Sequence, residues 1–293
     1  MSRKAKRRFA VYTSLLAGYL LIMTFGGCAD RMILFPTTQP RDPRGATRLT
    51  VEQDGKTIEV WVARSPAVRG EPEAFVLEFT GNASRAEDVA SHSAARWSNL
   101  PVEIWAMNYP GYGGSSGSAS LSRIAPAAEK TFDALKAVAG DRPIFVEGNS
   151  IGTTAALHLG ATRPVAGLVL QNSPPLRQMI WREHGWWNAW LLAGPVGLSI
   201  PAQLDSVANA RRCTAPAIFV QSSADEMIPT KYQDLIINAY KAPRNVMTLR
   251  GADHNWTFNN SQTRDFSMHL AWLWVKGAGR PIPPSTPATT MPQ

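Results

Sequence analysis

Two stretches of the chain carry a serine between glycines in the pattern G-x-S-x-G, which can present a nucleophilic hydroxyl. Gly113–Gly117 lies in a loop and is followed by more Ser and Ala, so no helix can begin directly after it. Gly148–Gly152 instead separates an apolar strand pattern at 144–146 from a helical pattern at 153–161. A sharp strand-to-helix turn exposes the serine Oγ, and small neighbours relieve the crowding of its strained backbone. The sequence therefore predicts Ser150 as a nucleophile.

A nucleophilic serine needs a histidine that takes its proton and an acid that orients the histidine. Asp225 follows the predicted strand 217–220 after a short loop, which places the carboxylate near the end of that strand. Glu226 is its neighbour and an alternative. Asp205 is a second alternative, but it directly precedes a helical pattern, as is typical of an N-cap. We expect Asp225 to be the acid.

The histidine is expected in a loop, because a loop side chain can swing over the serine more easily than one fixed within a helix. His254 follows the last predicted strand and precedes the last predicted helix. The other four histidines lie in helical patterns or in a Trp-rich segment: His92, His158, His184 and His269. The sequence therefore predicts His254 as the general base.

An acyl-transfer reaction also needs N–H donors for the oxyanion of its tetrahedral intermediate. The backbone N–H of Ile151, directly after the predicted nucleophile, is the first donor that we expect. The second should come from the loop after an earlier strand, where Phe79–Ala83 reads F-T-G-N-A. We expect the Asn82 N–H to fill this role. An ordinary Gly-Asn turn is the alternative interpretation.

The elements that carry these residues alternate regularly after an initial hairpin around Asp54-Gly55. Strands are predicted at 46–52, 56–63, 74–79, 102–107, 143–146, 165–170, 217–220 and 245–249, and helices at 85–97, 121–138, 151–161, 230–240 and 256–275. Ser84 is the expected N-cap of the first of these helices. This order predicts one doubly wound α/β domain with a mostly parallel sheet over 28–278. The Pro-rich residues 279–293 are predicted to form a disordered tail.

Residues 174–203 interrupt this alternation, because a long apolar segment separates two predicted strands. The segment contains four tryptophans: Trp181, Trp186, Trp187 and Trp190. One interpretation is a lid whose aromatic face covers an acyl pocket or contacts lipid. The other is that these rings merely cover the edge of the sheet. Both interpretations stay open.

Charge and cysteine content exclude several classes of protein. The 293 residues carry a net charge of +8, but five basic residues lie within 3–8, before an uncharged run at 9–29. This basic excess is therefore typical of a targeting signal and not of a nucleic-acid-binding surface. The chain has two cysteines, too few for a disulfide scaffold of this length, and no metal-ligand spacing. We expect no metal or other cofactor, and Cys213 should be a small buried residue.

Residues 1–27 are predicted to be a signal peptide or a membrane anchor. Gly26 and Gly27 directly precede Cys28, which resembles a bacterial lipoprotein signal. That resemblance implies cleavage before Cys28, lipidation of its thiol and, because Ala29 follows, the outer membrane of a Gram-negative cell. An uncleaved anchor is the main alternative, since about 20 apolar residues can span a bilayer. Plain secretion is the other.

Several motifs occur together in a fixed order: Phe79–Ala83, Asn108–Gly113, Gly148–Gly152, Asp225–Pro229 and Gly251–Asn255. In this combination the chain resembles α/β-hydrolase serine hydrolases over residues 30–275. It is most similar to the branch that contains the eukaryotic protein depalmitoylases and their uncharacterised bacterial relatives. The resemblance implies the α/β-hydrolase fold and a Ser-Asp-His triad. Thr80 stands where the family usually carries His. This difference leaves the backbone donor of the loop in place but removes a side chain that shapes the loop.

The sequence thus predicts a membrane-tethered hydrolase of the cell envelope that cleaves carboxylic esters or thioesters through an acyl-enzyme intermediate. Its substrate is expected to be a small-molecule or lipid-like acyl compound, and nucleic acid is not an expected partner. A serine peptidase of the same fold would use the same three residues. A non-catalytic envelope protein that uses the fold for binding is the alternative from a different class.

Overall fold

One eight-stranded sheet organises the computed structural model, which describes residues 2–186 and 191–282. The strands are β1 Thr47–Gln53, β2 Lys56–Arg64, β3 Ala74–Phe79, β4 Val102–Met107, β5 Ile144–Asn149, β6 Gly167–Gln171, β7 Ala217–Ser222 and β8 Arg244–Leu249. The helices are α1 Arg3–Phe25, α2 Cys28–Ile33, α3 Ala86–Arg96, α4 Leu121–Ala139, α5 Gly152–Thr162, α6 Leu176–His184, α7 Ala193–Leu198, α8 Ser206–Ala210, α9 Thr230–Ala239 and α10 Asn260–Ala278. Trp187, Trp190 and most of the predicted Pro-rich tail lie outside the described residues.

The strands are arranged in the order β1-β2-β4-β3-β5-β6-β7-β8. The first two pairings, β1 with β2 and β2 with β4, are antiparallel, and the others are parallel. Asp54 and Gly55 turn the β1–β2 hairpin with φ values of 48° and 71°. Two positive φ values belong to the type I′ turn that matches the twist of a hairpin. The predicted hairpin and the mostly parallel doubly wound sheet are both confirmed.

Helices cover both faces of the sheet, which explains why β3 and β4 are buried along their whole length and are apolar apart from one glutamate each. Apolar residues of α3 and α10 pack on one face, and those of α4, α5 and α9 pack on the other. The carboxyl ends of the parallel strands therefore meet at one edge, where the predicted site residues lie.

An aromatic stack joins the sheet to α10 on the first of these faces. The Phe145 ring of β5 lies 5.5 Å from the Trp97 ring and 5.9 Å from the Trp274 ring, measured between centroids. All three residues are completely buried. This contact holds the strand that leads into Ser150 against the last helix.

One predicted helix start and one predicted N-cap are wrong. The last helix begins at Asn260 and not at 256, because Asn259 and Gln262 form a capping box. Ser84 does not cap α3. The first N–H of that helix, from Ala86, donates to Asn108 Oδ1 at 2.9 Å. Asn108, which directly follows β4, therefore supplies this cap.

The Trp-rich segment folds into α6 and α7, which pack on each other. The Trp181 ring lies so close to Gly197 that a Cβ there would overlap it. Trp186 is 74% exposed. The segment also contacts α1, since the Tyr19 hydroxyl donates to the Leu191 carbonyl oxygen at 2.8 Å. Within the two described ranges, no helix combines the length and the apolar character needed to cross a membrane.

We predict that Trp274→Ala lowers the free energy of unfolding by about 3–5 kcal/mol, because it leaves a cavity under the aromatic stack. The neighbouring substitution Val275→Ala is a matched control, since this side chain is 46% exposed on the same helix. It should change the free energy by less than about 0.5 kcal/mol. Urea denaturation followed by circular dichroism measures both, and equal losses would contradict the assigned role of the stack.

Candidate active site

Ser150 lies on a tight turn between β5 and α5, and its backbone is left-handed with φ 53°. A non-glycine residue adopts this conformation rarely and at a cost of about 1–3 kcal/mol. The turn fits only because its neighbours lack side chains. A Cβ at Gly152 would overlap the Phe79 carbonyl oxygen, and one at Gly148 would lie 2.7 Å from the Gly152 backbone. Gly152 is thus required by the contact of α5 with β3, and Gly148 by the contact of α5 with β5.

Three of the predicted site residues form one chain of hydrogen bonds. His254 Nε2 lies 3.1 Å from Ser150 Oγ, and His254 Nδ1 lies 2.7 Å from Asp225 Oδ2. The second oxygen of the carboxylate, Asp225 Oδ1, accepts from the Ile228 N–H at 2.7 Å. The side chain of Asp225 is 0% exposed. A buried, oriented carboxylate fixes the imidazole with Nε2 towards the serine, which is the arrangement that proton transfer from Oγ requires.

The rival acids and serine have other roles in the structure. Glu226 is exposed, whereas Asp225 is buried against the imidazole of His254. Asp205 caps α8 by accepting from the Ala208 N–H at 3.0 Å, as its position before a helical pattern predicted. Ser115 of the second G-x-S-x-G is buried, and its hydroxyl donates to the Asn108 carbonyl oxygen and accepts from the Glu59 N–H.

Asn172 supports the site, although the sequence analysis did not identify it. Its Nδ2 donates to the His254 carbonyl oxygen at 3.2 Å, and its Oδ1 accepts from the Ser222 N–H at 2.9 Å. Asn172 is completely buried and has a left-handed backbone with φ 50°. It therefore joins the end of β6, the end of β7 and the histidine loop. Asparagine tolerates this conformation better than most residues, which was a signal available in the sequence.

The two predicted oxyanion donors lie beside the serine. Asn82 and Ser150 line the same cleft, and Ile151 directly follows the serine at the start of α5. Within the described chain, neither the Ile151 N–H nor the Asn82 N–H donates a hydrogen bond to another protein group. Their role as oxyanion donors stays a prediction.

Residues 80–83, called the oxyanion loop here, carry one of the two predicted donors. The Asn82 side chain holds this loop to the N-terminal strap, a name used here for residues 30–39. Its Oδ1 accepts from the Phe35 N–H at 3.0 Å and from the Tyr112 hydroxyl at 2.9 Å, and its Nδ2 donates to the Ile33 carbonyl oxygen. Ala83, the next residue, has φ 60°. These bonds fix the loop in a conformation that an isolated Gly-Asn turn would not keep.

Further bonds attach the strap to the elements around the site. Asp30 Oδ1 accepts from the Leu121 N–H at 2.7 Å, at the start of α4. Arg85 Nη1 donates to the carbonyl oxygens of Thr37 and Gln39 at 3.0 and 2.8 Å. The residues that follow Cys28 are thus part of the folded domain and not a linker.

A buried polar cluster lies behind the oxyanion loop and is centred on Asn108. Its Nδ2 donates to Glu59 Oε2 at 2.7 Å and to Glu87 Oε2 at 2.8 Å, while Arg85 pairs with Glu87. A Cβ at Gly113, where φ is 56°, would overlap the Asn108 amide. Burial opposes ionisation of Glu59, but bonds from the Gly114 N–H and from Asn108 outweigh it and lower the pKa of that carboxyl. This cluster explains the Asn108–Gly113 motif as a support for the loop.

The cleft at Ser150 has a volume of about 530 Å³, which is within the usual range for small-molecule sites. Phe35 of the strap, Met227 and Trp256 supply apolar walls and are 58%, 62% and 39% exposed. In the described part of 174–203, no residue lines this cleft. The role of that segment as a substrate lid therefore stays a prediction.

Solved structures with this architecture include esterases. Est1E from Butyrivibrio proteoclasticus, with ferulic acid bound, superposes with a TM-score of 0.64 at 15% identity, over 78% of this chain and 100% of that chain. An esterase from Pyrococcus furiosus gives a TM-score of 0.63 at 13% identity, over 84% and 99% of the two chains. The fold is therefore the α/β-hydrolase fold.

The sequence relatives indicate which α/β-hydrolases the chain resembles. No protein-family model matches the chain. An uncharacterised protein of Mycobacterium tuberculosis is 24% identical over 243 residues, 80% of this chain and 83% of that protein. Human alpha/beta hydrolase domain-containing protein 17B is 24% identical over 200 residues, 64% of this chain and 63% of that protein. The chain is thus a hydrolase of the α/β fold that is similar in sequence to alpha/beta hydrolase domain-containing proteins. Its similarity to protein 17B fits the depalmitoylase-like branch that the motifs predicted.

We predict that Gly152→Ala lowers the free energy of unfolding by about 3 kcal/mol or more, since the new Cβ meets the rigid Phe79 carbonyl group. Gly81→Ala is the control from the same site. A Cβ at Gly81 would make ordinary contacts of 3.7 Å or more, so its effect should stay below about 1 kcal/mol. Urea denaturation distinguishes the two, and a stable Gly152→Ala variant would contradict the described packing of the turn.

Proposed function

We propose that the protein is a serine hydrolase that cleaves carboxylic esters or thioesters through an acyl-enzyme intermediate. The observation that carries the proposal is the hydrogen-bonded chain from Ser150 through His254 to Asp225 at the wall of an open cleft. The free N–H groups of Ile151 and Asn82 support it further, since such donors stabilise a developing oxyanion.

In the proposed reaction each group has its own role. Ser150 Oγ attacks the acyl carbon while His254 Nε2 takes the hydroxyl proton, and Asp225 stabilises the imidazolium. The negative charge on the acyl oxygen is held by the N–H groups of Ile151 and Asn82. The intermediate then collapses, and His254 donates its proton to the departing alcohol or thiol. Water, deprotonated by His254, cleaves the acyl-enzyme and restores the serine.

The apolar walls of the cleft favour an acyl chain over a charged group. Phe35, Met227 and Trp256 lie around Ser150 and offer aromatic and thioether surface to a ligand. We therefore propose a small-molecule or lipid-like acyl substrate. A peptide panel tests the peptidase alternative, which a structural similarity to the Pyrococcus horikoshii acylaminoacyl peptidase favours.

We further propose that the protein is tethered to the cell envelope through lipid on Cys28. The supporting observation is the order of basic residues 3–8, an uncharged run and Gly26-Gly27 before Cys28. The diacylglyceryl group of a lipoprotein has two chains, and two buried chains give stable anchoring where one is marginal.

We predict that Ser150→Ala abolishes labelling by a fluorophosphonate probe and lowers p-nitrophenyl butyrate hydrolysis by at least about 10⁴-fold, because the nucleophile is lost. His254→Ala should be nearly as damaging. Ser115→Ala is the matched control from the second G-x-S-x-G and should label fully. Labelling of the Ser150→Ala variant at wild-type level would refute the proposed nucleophile. Glu226→Gln is the control for the acid and should leave hydrolysis within about threefold of the wild-type rate.

We predict that the intact mass of the protein from membranes of its native cell corresponds to a chain that begins at Cys28 and carries acyl groups. Cys28→Ser should prevent acylation and leave the uncleaved precursor. The measurement is intact mass and not membrane fractionation, because the apolar run can itself hold a precursor at the membrane. A native chain that still contains residues 3–8 would show an uncleaved anchor instead.

A further inference from the structure

A second cavity adjoins the cleft at Ser150, between α3 and the chain that leads into α10. This side cavity has a volume of about 330 Å³, near the lower end of the usual range for small-molecule sites. It shares its boundary residues Gly81, Ser84, Asn149, Gln171 and Trp256 with the cleft. A substrate whose acyl carbon lies at Ser150 can therefore extend into it.

Two polar side chains that line the side cavity have buried oxygen atoms without a hydrogen bond. Glu78 is 4% exposed and Thr80 is 2% exposed. Within the described residues, neither Glu78 Oε2 nor Thr80 Oγ1 has a hydrogen-bond partner. Buried polar atoms are nearly always bonded, so this pair indicates a missing partner. A ligand hydroxyl fits, since it can donate one bond and accept another.

The charges around the side cavity favour an uncharged ligand. The Arg96 guanidinium pairs with Glu147 and lies 3.9 Å from Glu78 Oε1, so its charge is already balanced within the protein. Burial and the neighbouring Glu147 carboxylate raise the pKa of Glu78 well above its usual range. Burial and the Arg96 charge lower the pKa of His92, which keeps that ring neutral. An anionic group would have to compete with Glu147 for Arg96, whose Nε lacks a hydrogen-bond partner.

The side cavity lies on the side of Ser150 from which the leaving group departs in the proposed reaction. Its wall includes Trp256, Thr257 and Phe258, which begin two residues after His254 in the chain. In the proposed reaction, His254 gives its proton to the leaving group, so that group departs on the side of this loop. Thr80 also lines the cavity at the position where the family usually carries the larger His. The departure from the family pattern therefore leaves space here.

We propose that the side cavity binds the hydroxylated alcohol portion of an ester, such as a glycerol or sugar group, through Glu78 and Thr80. The inference rests on the proposed function and specifies its substrate class. It differs from the resemblance to depalmitoylases, whose leaving group is a protein thiol.

The test compares two butyrate esters that differ only in two hydroxyl groups, 1-glyceryl butyrate and propyl butyrate. The wild-type protein should hydrolyse the glyceryl ester with a kcat/KM at least about tenfold higher. Thr80→Val removes one hydroxyl at constant volume, and Thr80→His fills the space with the family's residue. In both variants the ratio should fall below about threefold. Thr131→Val, a buried threonine on α4 outside the cavity, should keep the wild-type ratio.

The outcomes separate this inference from the proposed function. Equal hydrolysis of the two esters by wild-type protein, or an unchanged ratio in Thr80→Val, would overturn the inference and leave the esterase proposal standing. If wild-type protein hydrolyses neither ester nor p-nitrophenyl butyrate, the proposed function itself fails. A preference for p-nitrophenyl 3-hydroxybutyrate over p-nitrophenyl butyrate that Thr80→Val removes would place the acyl portion in the cavity, which would also overturn the inference.

Discussion

The contact between the start of α5 and the end of β3 is the constraint on which the site depends. At Gly152 the helix backbone lies directly against the Phe79 carbonyl group, closer than any side chain would permit. This approach fixes Ser150 in its left-handed conformation and brings it beside the loop that begins at Thr80. Because both N–H groups of the proposed oxyanion site belong to these two segments, one backbone contact sets their separation. Rigid elements hold such geometry better than loops do.

Polar bonds between distant parts of the chain then hold the loops in place. Asn108 caps α3 and binds two buried carboxylates, while Asn172 joins two strand ends to the histidine loop. Both residues are almost completely buried, and each bonds through its amide nitrogen and its amide oxygen. A fully bonded buried network rigidifies its surroundings, whereas a broken one is costly. The cleft is thus lined by loops that behave as fixed parts of the fold.

The fold followed from the sequence where short-range physics determines the structure. The Asp54-Gly55 hairpin, the alternating strands and helices and the strained turn at Ser150 all have local signals, and each forms as predicted. Bonds over long sequence separations have no such signal. Ser84 was the natural local choice for the N-cap of α3, but Asn108, 22 residues away, supplies the cap. The capping box at Asn259 was a local signal that the apolar pattern from Trp256 concealed.

The same limit explains why the strap was not foreseen. Nothing in residues 30–39 resembles a strand or a helix that must pair, yet Ile33 and Phe35 bond to the Asn82 side chain. Asn82 lies 49 residues beyond Ile33 and 47 beyond Phe35, outside the reach of any periodic pattern. The orphan oxygens of Glu78 and Thr80 are equally invisible in sequence, because burial and missing partners are properties of the assembled fold.

The strap also sets the reach of a tethered molecule. Helix α2 and two further residues connect Cys28 to Phe35 at the cleft, a path of about 15 Å at the usual rise per residue. Most lengthening of this path would require breaking the bonds at Asn82. An anchor at Cys28 would therefore keep the cleft close to the bilayer surface, because the connection between them is short. Such a molecule would search for substrate by lateral diffusion in the plane of its own membrane, and it could not extend to a second surface across the envelope.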